Sequence, residues 1–428
     1  MKLLVKNGTL INPLKNEKKK TSILIENGKI IEIADFIDEY SANGQLGIID
    51  AQGLYVAPGF IDIHVHFRDP GFEWKEDIFT GLEAAAAGGY TSVCTMPNTN
   101  PVADNVETVK YMVEKGARGN GVKLYPVCSA TAGLKGEELV SFEELKSNGA
   151  VAFSDDGKPV YNTELLKKAM ETAALSGMKY ISHSEDPFLA EGGCMNDGKQ
   201  SKDMGLKGIP VVGEASQVAR DCMLAEYLGL PVHIAHVSCA MSVDIIKYFK
   251  ERGVEVTAET APHYLVLTDG YVKNFGTNAK MNPPLREEKD RLALIEGIKN
   301  GVIDCLATDH APHHTDEKKG DMNSAPFGII GLETAFPVMM KLYHEGVFSL
   351  DKIVELFVKG YSIMGVEGGV VEVGMPADLT IFDIEKEWVI DSEKFRSKAR
   401  NTPFHGLNVK GAVIHTVCRG KVINSGSY

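Results

Sequence analysis

Residues 59–68 read Gly59-Phe-Ile-Asp-Ile-His-Val-His-Phe-Arg68, in which apolar residues alternate with polar ones. This alternation predicts a β-strand, because successive side chains of a strand point to opposite faces. His64 and His66 therefore leave the same face of the strand. Two neutral imidazoles side by side form half of a divalent metal site, most often a zinc site. The same spacing also fits an ordinary pair of half-buried histidines, so ligands from other strands are needed to distinguish the two.

Strand-like and helix-like runs alternate through residues 56–365. Helical patterns at 162–176, 214–228 and 287–300 lie between predicted strands. Eight β units with intervening helices over roughly 300 residues predict an α/β fold, a closed (β/α)8 TIM barrel. The competing architecture is a doubly wound open sheet, but the Gly-rich phosphate turn expected after its first strand is missing. The predicted barrel strands are 60–67, 90–96, 122–129, 150–154, 179–183, 231–237, 254–260 and 303–308.

Both ends of the chain consist of short strand-like runs. The turn dipeptides Asn7-Gly8 and Asn27-Gly28 predict breaks between the strands of the amino-terminal end. Neither end has enough strands for a stable layered sheet alone. We therefore expect residues 1–55 and 366–428 to combine into one small β-sandwich domain beside a catalytic barrel domain at 56–365. The predicted strands are 2–6, 22–26, 28–34, 378–383, 388–390, 413–418 and 422–423.

Polar residues stand at the carboxyl end of the predicted barrel strands. In a (β/α)8 barrel these ends meet on one rim, where loop residues on a rigid scaffold carry the chemistry. Scattered structural histidines would not be sorted in this way. The strand-end residues are His64, His66, Arg68, Asn98, Ser129, Asp155, Asp156, His183, His236, His263, Asp309 and His310.

The rim residues include the donors of a catalytic divalent metal site, which needs imidazole nitrogens, carboxylates and one open coordination position. Two metal ions need a bridging anion, which Asp155 or Asp156 can supply because only alternate residues of the strand face inward. Paired ions lower the pKa of a shared water. Asp309 can then take the proton and deliver it to a leaving nitrogen. We expect Asp62 to support the site from behind. The remaining candidate ligands are His64, His66, His183 and His236.

The composition limits the choice of partners. The 428 residues carry 45 basic and 58 acidic side chains, a net charge of −13, which argues against nucleic acid. The seven cysteines include no Cys-x-x-Cys pair and predict free thiols in a reducing cytosol. No run approaches the ~20 apolar residues of a membrane span. We expect a cytoplasmic enzyme that acts on a small molecule.

Several motifs, spread over the whole length, resemble those of the amidohydrolase superfamily and, more narrowly, those of the long class I dihydroorotases. The resemblance implies a barrel with a β-sandwich made from both termini, one or two zinc ions with two favoured, and a homodimer. The implied reaction is the reversible cyclisation of N-carbamoyl-L-aspartate to (S)-dihydroorotate and water, a step of pyrimidine synthesis. The motifs are residues 59–68, Met96-Pro-Asn-Thr-Asn-Pro101, Phe153-Ser-Asp-Asp-Gly157, Asn282-Pro-Pro-Leu-Arg286, Ala307-Thr-Asp-His-Ala-Pro-His313 and Pro326-Phe-Gly328, with His183 and His236.

The same resemblance assigns roles to individual residues. It makes Asp156 the bridging ligand and Asp309 both a ligand and the general base. It makes metal ligands of His64, His66, His183 and His236. Arg68 offers a planar fork of donors to the substrate carboxylate. The other implied substrate contacts are His66, Asn98, Asn282, His313 and the backbone of Phe327 and Gly328.

Two alternatives stay open. Other cyclic amidases, such as dihydropyrimidinase, hydantoinase and allantoinase, bridge their metals with a carboxylated lysine, and strand four offers no lysine before Lys158. Their substrates also lack the carboxylate that Arg68 would bind. An inactive homologue that serves as a scaffold for aspartate carbamoyltransferase would be expected to lose ligands. We expect association with that enzyme as a further property of an active chain.

Two long polar loops and several histidines complete the predictions. Residues 310–328 are too long for a simple connection and predict a lid over the substrate, whereas 191–208 predict a plain surface loop. His263 and His310 are expected near the site. We expect the other histidines, including His233, to be structural.

Overall fold

The computed structural model describes residues 2–38 and 46–426. In chain order the strands are β1 Lys2–Asn12, β2 Glu17–Glu26, β3 Lys29–Ala34, β4 Leu46–Asp50, β5 Tyr55–Pro58, β6 Phe60–Val65, β7 Tyr90–Thr95, β8 Lys123–Cys128, β9 Ala152–Phe153, β10 Lys179–Ser182, β11 Met195–Asn196, β12 Gly208–Ile209, β13 Val232–Ile234, β14 Val256–Thr260, β15 Cys305–Leu306, β16 Leu379–Val389, β17 Asn408–Cys418 and β18 Lys421–Ser425. The helices are α1 Ile78–Ala87, α2 Val106–Ala117, α3 Phe142–Ser147, α4 Thr163–Leu175, α5 Pro187–Ala190, α6 Lys199–Met204, α7 Val211–Leu228, α8 Ala240–Glu251, α9 Pro262–Val266, α10 Val272–Phe275, α11 Glu288–Lys299, α12 Thr315–Lys318, α13 Ala335–His344, α14 Leu350–Val358 and α15 Gly360–Met364.

The predicted (β/α)8 barrel is confirmed. Eight parallel strands pair in the order β6-β7-β8-β9-β10-β13-β14-β15, and each lies within a predicted run. The ring closes where Val65 bridges His310 in parallel and the backbone N–H of His66 donates to the carbonyl of His310 at 2.8 Å. In the described part of the chain, no helix has the length and apolar character to span a membrane.

The two chain ends share one sheet of eight strands. Its order is β18-β17-β16-β5-β1-β2-β3, with β4 beside β1. The expectation that both termini combine is therefore confirmed. The sheet has a core of its own, which includes Leu10, Ile23, Ile25, Leu379 and Ile381. The domain boundaries at 55/56 and 365/366 stay a prediction.

Two predicted strand breaks in this sheet are wrong. Asn7-Gly8 does not end a strand, because β1 continues to Asn12 and pairs with β2 on both sides of the dipeptide. The left-handed backbone of Asn7, with φ +63°, is absorbed by a register shift between Val5 and Gly8. The runs predicted at 378–383 and 388–390 are likewise one strand with an irregularity in the middle. The dipeptide Asn27-Gly28 does make the predicted hairpin turn.

Packed aromatic rings join the barrel to the terminal sheet. The ring of Phe60, on β6, lies 4.6 Å from that of Phe357 and 5.9 Å from that of Phe336. Phe336 in turn lies 4.9 Å from Phe382 on β16. All four side chains are at most 1% exposed. Burying each contributes roughly 1.5–3 kcal/mol, so the sheet is bound firmly to the end of the barrel opposite the rim.

A carboxylate also fastens a carboxyl-terminal segment to the barrel. Glu333, just before α13, accepts hydrogen bonds from the backbone N–H groups of Arg396 at 3.0 Å and Ser397 at 3.1 Å. Glu76 accepts from the Ser397 hydroxyl and from the N–H of Lys398. Burial raises the pKa of Glu333 to about 7.

This raised pKa predicts a pH-dependent stability. Between its ordinary value of 4.5 and about 7, folded Glu333 holds a proton that the unfolded chain has lost. This tighter binding of the proton stabilises the folded chain. The stabilisation is fully present below pH 4.5, decreases as the pH rises, and is lost above about pH 7. Glu333→Gln does not titrate, so we expect it to gain stability relative to the wild type from about pH 5 to about pH 8.

Urea unfolding at these two pH values measures the difference. The control is Glu83→Gln, which alters an exposed carboxylate on α1. If the unfolding free energies of wild type and Glu333→Gln change in parallel with pH, the raised pKa of Glu333 is contradicted.

Candidate active site

Asp156 lies at the centre of a buried cluster on the carboxyl-terminal rim of the barrel. Its Oδ1 atom is 3.3 Å from Nε2 of His64 and 3.1 Å from Nδ1 of His183. Nε2 of His236 is 3.8 Å from the same oxygen and 2.8 Å from Nδ1 of His183. Three of the predicted histidines, contributed by three different strands, therefore converge on one carboxylate oxygen.

Asp309 closes the other side of the cluster. Its Oδ1 atom lies 3.0 Å from Nε2 of His66 and 3.7 Å from Nε2 of His64. Nε2 of His66 is also 3.5 Å from Oδ2 of Asp156, so the two oxygens of Asp156 face different imidazoles. Two groups of donor atoms result, each with all atoms within 4.8 Å of one another. They are His64, Asp156 and His236, and His64, His66 and Asp309.

The backbone at the strand ends is shaped to direct these side chains. Arg68, His236 and Asp309 all have positive φ, at +56°, +34° and +49°. This left-handed region is uncommon for residues with a Cβ atom and concentrates at functional sites. His64 and His66 need no such distortion, because the alternation of β6 already turns both inward.

Hydrogen bonds fix where the protons of the imidazoles lie. Nδ1 of His64 is 2.9 Å from Oε1 of Glu259, and an ionised carboxylate only accepts hydrogen bonds. In the neutral, metal-binding form of His64 the ring proton therefore lies on Nδ1, and Nε2 directs a lone pair at the oxygens of Asp156 and Asp309. Nε2 of His64 has no hydrogen-bond partner among the described residues.

His66 is oriented in the same sense by Asn98. Nδ2 of Asn98 donates to Oδ2 of Asp156 at 3.4 Å, which leaves Oδ1 to accept from Nδ1 of His66 at 2.8 Å. Nε2 of His66 then also directs a lone pair at a carboxylate oxygen. Facing lone pairs repel unless a cation lies between them, so the donor set fits a divalent metal ion.

The charges of the cluster also favour a bound cation. Burial alone would lower the pKa of His64, but the Asp156 and Glu259 carboxylates outweigh it and raise that pKa well above its ordinary value. Burial alone would raise the pKa of Asp156, but His64, His183 and His236 hold it well below its usual range. Both pKa shifts arise because buried carboxylates attract positive charge.

The structure distinguishes the two neighbouring aspartates after β9. Asp155 accepts hydrogen bonds from the backbone N–H of Ala130 at 2.8 Å, the N–H of Thr131 at 3.0 Å and the hydroxyl of Ser129 at 3.0 Å. Its carboxylate is thus used to hold the loop after β8. Asp156 alone of the pair faces the imidazoles, because the two side chains leave opposite sides of the backbone.

Arg68 and His313 lie together beside the cluster. The Nε atom of Arg68 donates to the carbonyl of Pro312 at 3.3 Å, and no described carboxylate lies within ion-pair distance of its guanidinium. Burial lowers the pKa of Arg68 to about 10. Burial, with the positive charges of Arg68 and Lys75, lowers the pKa of His313 to about 2, so its ring is neutral.

The predicted lid is held closely against the barrel. Nε2 of His313 donates to the carbonyl of Phe327 at 2.8 Å, and the N–H of Gly328 donates to the carbonyl of Lys280 at 2.9 Å. The ammonium group of Lys280 donates to the carbonyls of Met322 at 2.7 Å and Ala325 at 2.6 Å. The carbonyl of Phe327 and the N–H of Gly328 are therefore already hydrogen-bonded, the first within the loop and the second to Lys280 outside it. Movement of the loop as a lid stays a prediction.

Glu259 is a functional candidate that the sequence analysis missed. It lies on β14, with its side chain 1% exposed, and accepts from Nδ1 of His64 and from Nε2 of His233 at 3.2 Å. His233 is thus linked to the cluster through Glu259. Cys305 completes a third close group of donors, but both ring nitrogens of His233 are already hydrogen-bonded. A glutamate inside a predicted barrel strand was the available signal.

Asn401 is a second missed residue, and it lies far away in the sequence. Its Nδ2 atom donates to the carbonyls of Ala311 and Gly328, each at 3.0 Å, at opposite ends of the predicted lid. Its Oδ1 atom accepts from the N–H of His313 at 3.2 Å. Asn401 therefore positions the loop that carries His313. Nothing in its local sequence indicates this role.

Asp62, His263 and His310, the other residues expected near the site, are all buried, and their support of the site stays a prediction. Asp62 accepts from the backbone N–H of His64 at 3.1 Å and of Thr308 at 3.2 Å, so it ties the first barrel strand to the last. His310 packs edge-on against Phe67. His263 is buried, and burial lowers its pKa to about 4.

Comparison with known proteins gives the family. A family model described as Dihydro-orotase-like matches residues 53–242. A dihydroorotase from Acetivibrio thermocellus is 48% identical over 423 residues, covering 98% of each chain. A dihydroorotase from Aquifex aeolicus is 47% identical over 424 residues, covering 99% of each. The chain belongs to the dihydroorotase family.

Solved structures extend this relationship beyond the dihydroorotase family. An L-hydantoinase from Arthrobacter aurescens matches with a TM-score of 0.89 and 27% identity, covering 100% of this chain and 96% of that one. A dihydropyrimidinase from Brevibacillus agri matches with a TM-score of 0.85 at 24% identity, covering 99% and 95%, which is a likeness of fold. The resemblance expected from the motifs is confirmed.

Membership of the dihydroorotase family makes the role of Glu259 testable through metal binding. Carboxylates behind metal-binding histidines fix the ring tautomer, and their loss lowers metal affinity by about 10–100-fold. We expect a decrease of that size in the zinc affinity of Glu259→Gln, measured by competition with a chelator. Glu83→Gln, which alters the exposed carboxylate on α1, is the control. Equal zinc affinity in both variants would show that Glu259 does not orient His64.

Proposed function

We propose that this chain, a metal-dependent cyclic amide hydrolase of the dihydroorotase family, interconverts N-carbamoyl-L-aspartate and (S)-dihydroorotate. Cyclisation joins the terminal ureido nitrogen to the side-chain carboxyl carbon and releases water. Hydrolysis of the ring is the reverse. The observation that carries the proposal is the convergence of imidazole lone pairs and two carboxylates at one point of the barrel rim.

The residues that would hold the metal are those of the buried cluster. We propose zinc, with two ions favoured over one, and Asp156 would be the ligand shared by both because its two oxygens face different imidazoles. A bound divalent ion supplies two effects: it makes water acidic enough to ionise near neutral pH, and it polarises a carbonyl oxygen. The full ligand set is His64, His66, Asp156, His183, His236 and Asp309.

Asp309 is proposed as both a ligand and the general base. It is buried beside His66, and although burial raises its pKa, His66 and the other imidazoles bring the pKa below its usual value. An ionised carboxylate can take the proton from water during hydrolysis and deliver it to the leaving ring nitrogen. In cyclisation Asp309 takes a proton from the ureido nitrogen and gives it to the carboxylate oxygen that departs as hydroxide, and a proton from solvent converts this hydroxide to water.

Arg68 is proposed to select the substrate. Its guanidinium lies beside the cluster with no described carboxylate in ion-pair range, so its fork of donors is available to the carboxylate of dihydroorotate. The other proposed contacts are His66, Asn98, Asn282, His313 and the backbone of Phe327 and Gly328. A change within the 310–328 loop would release the two backbone groups that are now engaged.

The similarity to hydantoinases supports one alternative, hydrolysis of uncharged cyclic amides. Such rings would leave the half-buried Arg68 without an anionic partner, which costs free energy. The inactive-scaffold alternative has less support, because every expected ligand is retained around Asp156.

A homodimer and an association with aspartate carbamoyltransferase are further parts of the proposal. Exposed aromatic side chains support a protein contact. Tyr161 and Phe188 pack edge to face at 6.1 Å and are 58% and 75% exposed, and Tyr227 is 79% exposed.

An assay on charged and uncharged rings tests the proposed reaction. We expect the zinc-loaded protein to turn over dihydroorotate and carbamoyl-aspartate and to act poorly on hydantoin and dihydrouracil. Arg68→Met removes a charged hydrogen-bond pair, so we expect KM for dihydroorotate to rise about ten- to a hundredfold. The control is Arg118→Met, at the exposed end of α2. Turnover of the uncharged rings alone would favour the hydantoinase alternative, and absence of bound metal the inactive one.

A further inference from the structure

A carboxylate holds the side-chain amide of Asn282 on the rim. Nδ2 of Asn282 lies 3.0 Å from Oε1 and 3.1 Å from Oε2 of Glu185. Glu185 follows β10, and its side chain is 16% exposed. Its Oε2 atom is also 3.6 Å from Nε2 of His183, so the pair lies at the edge of the proposed metal cluster.

The charge of Glu185 determines which end of the amide it binds. A carboxylate only accepts hydrogen bonds, so it binds the NH₂ group of Asn282 and repels the carbonyl oxygen. The amide therefore cannot turn over without placing its Oδ1 atom against a carboxylate. With NH₂ held by Glu185, Oδ1 faces the opposite direction.

That oxygen is left without a donor. Oδ1 of Asn282 is buried and has no hydrogen-bond partner among the described residues. A buried polar atom with no partner costs roughly 1–3 kcal/mol, so its presence points to a donor that arrives with a ligand. Asn98 differs, because its Oδ1 atom already accepts from Nδ1 of His66.

We propose that Glu185 fixes Asn282 as a hydrogen-bond acceptor for a ring N–H of the cyclic substrate. Glu185 is then a positioning residue, and together the two residues select rings that carry N–H over rings that carry N-alkyl. The inference rests on the proposed function, because the ring it describes is the proposed substrate. Beyond the proposed function, it specifies that Asn282 accepts a hydrogen bond from a ring N–H and that Glu185 fixes the amide in the orientation that can do so.

Exchanging the two side chains tests the proposal. Asn282→Asp places two carboxylates against each other, whereas Glu185→Gln with Asn282→Asp restores one donor and one acceptor. In this double variant the amide introduced at position 185 donates to one oxygen of the carboxylate introduced at position 282, and the other oxygen accepts from the ring. The double variant also has the net charge of the wild type.

The probe is orotate, a conjugated ring with the same N–H groups, whose binding to the zinc-loaded protein is measured by calorimetry. We expect Asn282→Asp to weaken orotate binding about tenfold or more, the effect of losing one hydrogen bond. We expect the double variant to recover at least about half of that loss on a logarithmic scale. Zinc content and thermal midpoint, measured for every variant, separate this effect from damage to the cluster or the fold.

N-methylated orotates give a second readout, the preference for a ring N–H over an N-methyl group. The variant for this test is Glu185→Gln, whose side chain keeps the shape of glutamate. Wild type should bind the ring N–H form about tenfold more tightly than one of the two N-methyl forms. In Glu185→Gln the introduced amide can bind either end of Asn282, so Asn282 can turn over and this discrimination should shrink.

The two outcomes that overturn the proposal are specific to the pair. One is a double variant that binds orotate no better than Asn282→Asp; the other is Glu185→Gln with the full discrimination of the wild type. Failure of the unaltered protein to cyclise carbamoyl-aspartate would instead count against the proposed function. The orotate binding measurements would still test the Glu185–Asn282 pair, because they do not depend on turnover.

Discussion

The structure depends on one electrostatic constraint, the convergence of imidazole nitrogens and carboxylate oxygens in a buried space. Oδ1 of Asp156 lies within 3.3 Å of nitrogen atoms of His64 and His183, and those groups leave water only if positive charge balances the carboxylates. A divalent cation satisfies this requirement better than protons do, because it accepts several lone pairs at once. Binding of the ion and order of the rim are therefore coupled.

The barrel holds the buried cluster rigidly, and the carboxyl-terminal segment positions the loop that carries His313. Asp62 ties the first barrel strand to the last beneath the cluster. Asn401 holds both ends of the loop that carries His313, and Glu333 fastens the segment that leads to Asn401. The terminal sheet is thus connected to the site through backbone hydrogen bonds as well as through aromatic packing. This arrangement explains how a residue 88 positions away in sequence supports a substrate loop.

Much of the fold could be predicted because its signals are local. The alternation in residues 59–68 turns two histidines to one face, and polar residues at the end of each strand place the rim. The Asn7-Gly8 prediction was wrong because a left-handed asparagine occurs in a bulge as well as in a hairpin turn. Glu259 and Asn401 were missed because their meaning lies in their partners, which only tertiary structure brings together. The choice of Asp156 over Asp155 came from the resemblance, and the geometry explains it.

The central claim is that Asp156 joins the donor groups around bound metal, and the zinc content per chain tests it most directly. We predict about two zinc ions in the wild type and at most about one in Asp156→Ala. Asp155→Asn should keep the full content, because Asp155 is turned towards the backbone of Ala130 and Thr131. Equal zinc content in the wild type and Asp156→Ala, with both chains folded, would contradict the account.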